Sequence, residues 1–323
     1  MKTAVFTVAG ISAQPGEKKE GYLEIPGISE KLPLTVINGS GEGKTVAITG
    51  GTHGGEYPGV ETSIRLARTL DAQTVCGQVA IVHPVNVPAF FAKLQYQGPY
   101  DGLNLNRVYP GAQTGTVSQR IAWAISQNLF TQADFYMDLH GGDLHESLTP
   151  FVIYSNLNVS EEKKALAVAG CKAMGIPYVV GSRAAGGAYG CAAQMGVPGF
   201  LAEVGELGLW TEEQVALYLR GVKNGLRMLG VLPEPAEDYG RPVLLDHMIS
   251  MTSDETGCWY PSVEKGAAVK KGQPLGEVRD FFGRTLKSCT APADGIILYV
   301  VRSLAIGVGD PILAIGTDDP DAF

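Results

Sequence analysis

The sequence predicts a layered α/β fold followed by a smaller all-β region, and three observations predict it. Between about residues 46 and 230, short strand-like runs alternate with stretches whose apolar residues recur every three or four positions, the pattern of strands and helices packed in layers. The segment VLPEPAEDYGRP (Val231–Pro242) then ends the helical pattern, and beyond Arg241 only short β-like runs remain, separated by Gly, Pro and Asp. With 323 residues, 45% hydrophobic and 18% charged, the chain can fill two cores. The expected domains are 1–240 and 241–323.

Each element follows from local sequence. Residues 1–45 alternate β-rich runs with turn residues, as in Gly21–Ile25 and Leu34–Ile37. The N-terminal MKTAVFTVAG reads as a strand ending in a turn, because Thr7 and Gly10 interrupt what would otherwise resemble a weak signal peptide. Val46–Thr49 is a strand ending in Gly50-Gly51. A helix follows, striped by Val60, Ile64, Ala67 and Leu70, with Pro58 in its first turn, where the missing N–H costs nothing. Val79–Val82 is the next strand, and a long irregular loop is expected as far as about Gly115. Val117, Ile121, Ala124, Ile125 and Leu129 stripe the next helix. Phe135–Leu139 and Phe151–Tyr154 read as strands, Ser160–Met174 as a helix, and Phe200–Val204 as a strand. The last helix opens with a capping box, Thr211 with Gln214, and carries Val215, Leu219, Val222, Leu226 and Leu229 on one face. In the β region, Val263–Val278 and Ala291–Ile315 repeat the cadence of a small β-barrel or barrel-sandwich.

Composition excludes several functions. Lys and Arg number 25 against 33 Asp and Glu, a net charge of −8, which argues against partners such as nucleic acid or an anionic membrane surface. No stretch approaches the roughly 20 apolar residues of a membrane-spanning helix. The five cysteines are scattered, odd in number and without a CxxC pair, so a reducing, cytoplasmic setting is expected. Gly43-Lys44-Thr45 is not a phosphate loop: Asn38 stands where its first glycine belongs, and a strand follows rather than a helix. A hairpin turn is the expectation there. The nucleophile elbow is absent too, since Asn38-Gly39-Ser40-Gly41-Glu42 lacks its glycine spacing.

The informative residues are histidines. Two of the five, His53 in GGTHGGE and His140 in DLHGG, fall at the C-terminal tips of expected core strands beside glycines, where open α/β sheets place their ligands. His53 and Glu56 lie three apart across a turn into a helix, so both can converge on one point. His140, from another strand end, can complete a two-His, one-carboxylate zinc site with a position left for water. Each residue alone is as readily a satisfied core or surface group. Hydrolysis at such a site needs a nearby carboxylate base. Glu203 lies in an apolar run, an expensive place for a charge, while Glu206 just beyond can be solvated. Glu203 is the better candidate for the base, a buried ion pair being its structural alternative. Asn106 and Arg107 offer an amide and a planar guanidinium suited to a substrate carboxylate, or else a network that pins their loop.

In this order, GTHGGEYPG, DGLNLNRVYPG, MDLHGG and FLAEVGE resemble the succinylglutamate desuccinylase/aspartoacylase family, relatives of the zinc carboxypeptidases. The resemblance covers roughly residues 20–230. It implies a carboxypeptidase-like α/β/α sandwich with a mixed sheet, one Zn²⁺ per chain held by His53, Glu56 and His140, Glu203 as base and proton shuttle, and Asn106 with Arg107 on the substrate carboxylate. Two positions depart from the family pattern. Gln95 stands where many relatives carry an arginine that polarises the scissile carbonyl, leaving Lys93, Arg183 or the zinc itself to do so. Asn104 stands where carboxypeptidases carry an aspartate that orients a ligand histidine, and Asp138 is the candidate replacement. The C-terminal region is similar to biotinyl or lipoyl carrier domains in Val263–Gly276 and Ala291–Gly295. Arg279–Arg284 lacks the carrier lysine, which argues against a swinging arm.

The expectation is therefore a zinc-dependent amidohydrolase that deacylates a small N-acyl amino acid or a related N-acylated compound. A peptide carboxypeptidase and a non-catalytic binding protein are the alternatives. The expected partner is a small molecule, with a homo-oligomer an allowed assembly.

Overall fold

A computed structural model describes residues 4–157 and 159–320 of the chain. The strands β1 (Phe6–Val8) and β2 (Ile11–Ala13) form a hairpin turned through Ala9-Gly10. Met1–Thr3, the start of that expected strand, lie outside the described residues. Next come β3 (Glu17–Leu23), β4 (Leu32–Asn38), β5 (Gly41–Gly50), β6 (Cys76–Val82), β7 (Phe135–His140), β8 (Glu146–Leu148), β9 (Phe151–Ser155), β10 (Tyr178–Ser182), β11 (Gly199–Glu203) and β12 (Val243–Leu245). Nine of these form one mixed sheet in the order β12-β10-β9-β11-β7-β5-β6-β4-β3. Its centre, β11-β7-β5-β6, is parallel, whereas β9 runs antiparallel to β11 and β4 antiparallel to β6.

The helices are α1 (Tyr57–Thr69), α2 (Val87–Ala92), α3 (Val117–Ile125), α4 (Glu161–Ala173), α5 (Ala188–Gln194) and α6 (Glu212–Met228). Strand alternation divides them between two layers. Ile48, Met137, Leu139 and Phe200 share one core with Leu66 of α1, Ala167 and Cys171 of α4, and Val222 and Leu226 of α6. Ala47, Tyr136 and Leu201 point the other way, into a core with Ile121 and Ile125 of α3 and Ala188 and Ala192 of α5. The result is the expected α/β/α sandwich. Each large apolar side chain so buried contributes about 1.5–3 kcal/mol, and a one-residue register slip would send each strand's side chains into the opposite core.

The C-terminal strands are β13 (His247–Thr252), β14 (Gly257–Pro261), β15 (Ala268–Val269), β16 (Pro274–Arg279), β17 (Thr285–Thr290), β18 (Gly295–Val301), β19 (Ala305–Ile306) and β20 (Pro311–Thr317). They form two small sheets, β13-β20-β18-β15 and β17-β16-β14-β19, around Trp259, Leu275, Val278, Ile297 and Leu313. The two regions exchange strands. β8, just past the tip of β7, pairs with β18, and β12, past the proline-rich linker, is an edge of the large sheet.

Three local expectations are corrected. β4 and β5 are not a hairpin: both pair with β6, which lies between them, and Gly43-Lys44-Thr45 lies within β5 at a shift of register. The long loop before Gly115 contains α2, capped by Asn86, and a 3-10 turn at Leu105–Arg107. The buried face of α6 uses Tyr218 where the apolar stripe points to Leu219, which is only partly buried. Among the described residues no helix is long and apolar enough to cross a membrane, and all five cysteines are free.

Candidate metal centre

β5 ends at Gly50, and the chain turns through Gly51, whose φ of +75° suits glycine, to reach His53 and then Glu56, the residue that precedes α1. β7, beside β5, ends at His140. His53, Glu56 and His140 are buried and bring one ligand atom each to within 4.8 Å of one another. Glu56 Oε1 lies 2.6 Å from His53 Nδ1, and Oε2 lies 2.8 Å from His140 Nδ1. The far nitrogen of each ring meets an acceptor, His53 Nε2 with Asn104 Oδ1 at 3.0 Å and His140 Nε2 with Asp138 Oδ2 at 3.1 Å.

An Nε2–H committed to an acceptor leaves a neutral imidazole with a bare lone pair on Nδ1. Two such lone pairs and a carboxylate then face one point, which a cation satisfies. Glu56 Oε2, moreover, is buried with the His140 ring as its near neighbour, in an alignment that does not make a hydrogen bond. The residues therefore fit a divalent ion of the zinc type, with a coordination position left open. The same crowding attracts protons. Burial opposes charge on either ring, but Glu56 draws both imidazole pKa values up. Burial likewise pushes Glu56 up, and the two rings outweigh it and hold its carboxyl at about 2.

The surrounding residues fix this triangle. Thr49 donates to Asp138 Oδ1 at 2.7 Å, and the Thr49 and Tyr136 hydroxyls lie 2.5 Å apart, all buried. The Tyr218 hydroxyl lies between the carbonyls of His140 and Ala202, at 2.5 and 2.7 Å, and so ties α6 to the ends of β7 and β11. A Cβ on Gly55 would lie 2.1 Å from Asp143 Oδ1, so the loop before Glu56 seats directly on that carboxylate. Sequence reasoning missed Thr49, Tyr136 and Tyr218. Their signal is a hydroxyl inside an otherwise apolar run, which burial obliges to find a partner.

The parallel register of β11 with β7 sets Glu203 beside His140. Its Oε2 is buried without a hydrogen-bond partner. Burial first, and then the Glu56 charge, hold its pKa well above the carboxylate range, with His140 opposing. Glu206 is engaged elsewhere, by Ser147 Oγ at 2.8 Å and Lys265 Nζ at 2.5 Å. Tyr96, also missed, meets the His53 ring edge-on at 5.5 Å. It adopts a left-handed φ of 55°, gives its N–H to Asp143 Oδ2 at 2.9 Å and its hydroxyl to Glu146. Burial pushes Glu146 up to about 7 against that hydrogen bond.

The remaining candidates divide. Asn104 Oδ1, besides meeting His53, accepts from Asn106 N at 2.8 Å, which brings the Asn106-Arg107 turn to the triangle. Asn106 Oδ1 accepts from Ala188 N at 2.9 Å and pins the start of α5, while exposed Arg107 gives one Nη1 to the Asn106 carbonyl at 2.8 Å. Gln95 is half-buried and precedes Tyr96 in the chain. Lys93 lies exposed beside Tyr57, Phe91 and Trp210. Arg183 lines a different cavity, with Tyr154 and Ser182. The C-terminal region contributes Tyr299, opposite Leu148 on β8 and close to Glu146, Arg107 and Glu203.

The model of the succinylglutamate desuccinylase/aspartoacylase catalytic domain matches residues 42–229. The chain is 30% identical over 313 residues to the N-alpha-acetyl-L-2,4-diaminobutyric acid deacetylase of Halomonas elongata, covering 92% of this chain and 91% of that protein. Among solved structures, it resembles the product-bound ectoine utilization protein EutE (DoeB) of Ruegeria pomeroyi with a TM-score of 0.83 and 28% identity, over 93% of this chain and 95% of that one. A succinylglutamate desuccinylase/aspartoacylase from Rhodobacter sphaeroides gives a TM-score of 0.80 and 26% identity, over 92% and 95% of the two chains.

Proposed function

The chain belongs to the succinylglutamate desuccinylase/aspartoacylase family, and from that premise we propose that it is a zinc-dependent deacylase that hydrolyses the amide of a small N-acyl amino acid. The observation that carries this reading is the buried His53–Glu56–His140 triangle with the unpartnered Oε2 of Glu203 beside it. The deacetylase from Halomonas supports an N-acylated amino acid as the substrate class. His53, Glu56 and His140 would hold one zinc per chain. When bound, zinc polarises the acyl carbonyl and acidifies the attacking water, which suits a site where neutral Gln95 replaces a polarising arginine.

Ionised once a bound cation offsets the Glu56 charge that helps raise its pKa, Glu203 takes the proton of the attacking water and returns it to the leaving amine nitrogen, a role open to a carboxyl whose Oε2 has no hydrogen-bond partner. Arg107, steadied by the Asn106 carbonyl, presents the rest of its fork to the substrate carboxylate. Asn104 and Asp138 keep the two rings oriented. The same reading takes 1–240 and 241–323 as the two domains and the cytoplasm as the location.

Metal content by mass spectrometry, together with a Glu203→Gln variant, tests the reading. About one zinc per chain in both proteins is expected, with kcat on N-acetyl amino acids reduced roughly 10²–10⁴-fold in the variant. Near-normal turnover by Glu203→Gln, or failure to take up zinc, would overturn it.

A further inference from the structure

Between β10, the start of α4 and β13 lies a cavity of about 740 Å³, and none of its lining residues belongs to the metal triangle. The volume suits a small organic ligand. Four charged side chains line it, two of each sign: Lys164 and Arg183, Glu161 and Asp246. Among the described residues none of the four forms an ion pair. The cavity thus presents a guanidinium fork and an ammonium beside two carboxylates.

This set selects among ligands. Glu161 and Asp246 repel a phosphate or a polycarboxylate, and Arg183 and Lys164 repel a simple cation. A small zwitterion satisfies both halves, its carboxylate on Arg183 and Lys164 and its ammonium on Asp246 and Glu161. We infer that this cavity binds a free α-amino acid at a site separate from the metal centre. The binding argument goes beyond the proposed deacylation, and only one link rests on it: a free amino acid is the class of product that deacylation releases. One hydrogen bond leads from the cavity wall towards the metal region: Ser182 Oγ accepts from the Tyr189 hydroxyl at 3.0 Å, and Tyr189 lies within electrostatic reach of Arg107, His140 and Asp138. A ligand on Arg183 therefore sits one residue from a serine bonded to a neighbour of the reaction site.

Isothermal titration with glycine, L-aspartate and L-2,4-diaminobutyrate tests the inference without any turnover, so its failure is separable from failure of the deacylase reading. At least one of the three should bind at millimolar concentration or tighter, with succinate and 1,4-diaminobutane at least tenfold weaker. Arg183→Ala and Asp246→Asn should each weaken amino-acid binding tenfold or more, with unchanged melting temperature, whereas His53→Ala should bind as the parent does. The inference fails if no amino acid binds up to about 10 mM. It fails equally if succinate binds as tightly as the amino acid, or if His53→Ala abolishes binding that Arg183→Ala retains.

Discussion

The carboxylate of Asp138 lies 3.1 Å from Nε2 of His140, on the far side of the ring from Glu56. Asp138 is itself held by Thr49, and Thr49 meets the Tyr136 hydroxyl. A carboxylate on the distal nitrogen fixes the ring and raises the basicity of the nitrogen that faces the metal. Asp138→Asn should therefore weaken zinc binding about 10–100-fold, and Thr49→Val should do so by less, read as Kd in competition with a chromogenic chelator. Unchanged Kd in Asp138→Asn would show that β7 alone orients His140.

Gly55 is a second test of the same architecture. An alanine methyl there would meet Asp143 Oδ1 at 2.1 Å, and Asp143 cannot retreat without releasing the Tyr96 and Leu144 amides. Gly55→Ala should cost about 1–3 kcal/mol in urea unfolding and lower zinc occupancy, because the next residue is Glu56. Parental stability with full occupancy would mean that the loop is looser than this packing implies.

These neighbours mark where the sequence was legible and where it was not. His53, Glu56, His140 and Glu203 stood out because each is polar at the tip of an apolar strand or in the glycine turn beyond, and strand adjacency then brought them together. Tyr96 gave no such signal. It sits in a stretch without periodicity, and contacts with Asp143 and Glu146, 47 and 50 residues away, decide its position. α5 went unseen because AYGCAAQ has no large apolar stripe. Its placement depends on Asn106 capturing Ala188 N. The exchanged strands β8 and β12 have three residues each, too few to show a period before their partners are known.

Glu146 gives a pH signature. Its carboxyl is pushed up to about 7 from an ordinary value of 4.5, because burial, aided by the Glu56 charge, outweighs the Tyr96 hydrogen bond. The folded state then binds more protons than the unfolded one between those values. Stability from this group is greatest below about 4.5 and falls as pH rises through about 7, by on the order of 3 kcal/mol in all. His53 and His140, with raised pKa values, slope the same way, so the informative quantity is the difference between two proteins. Glu146→Gln, unfolded in urea with a chelator present, should lose less stability than the parent between pH 4.5 and 8. Parallel pH profiles would refute the assignment.

Metal binding should show the opposite dependence. To bind zinc, His53 and His140 must each present an unprotonated Nδ1, and Glu56 favours the protonated rings by drawing their pKa values up. Protons and zinc thus compete for the same lone pairs, and the competition eases as pH rises. A ligand that binds only the folded state stabilises it by about 2.7 kcal/mol at a free concentration of 100 Kd. The rise in melting temperature on adding zinc to chelator-treated protein should therefore grow from pH 6 to pH 8. The same titration on a His53→Ala/His140→Ala protein separates this site from adventitious binding, since that protein should show no zinc-dependent rise at either pH. A rise that persists in the double variant, or that shrinks as pH increases, would place the stabilising ion somewhere other than the His53–Glu56–His140 triangle.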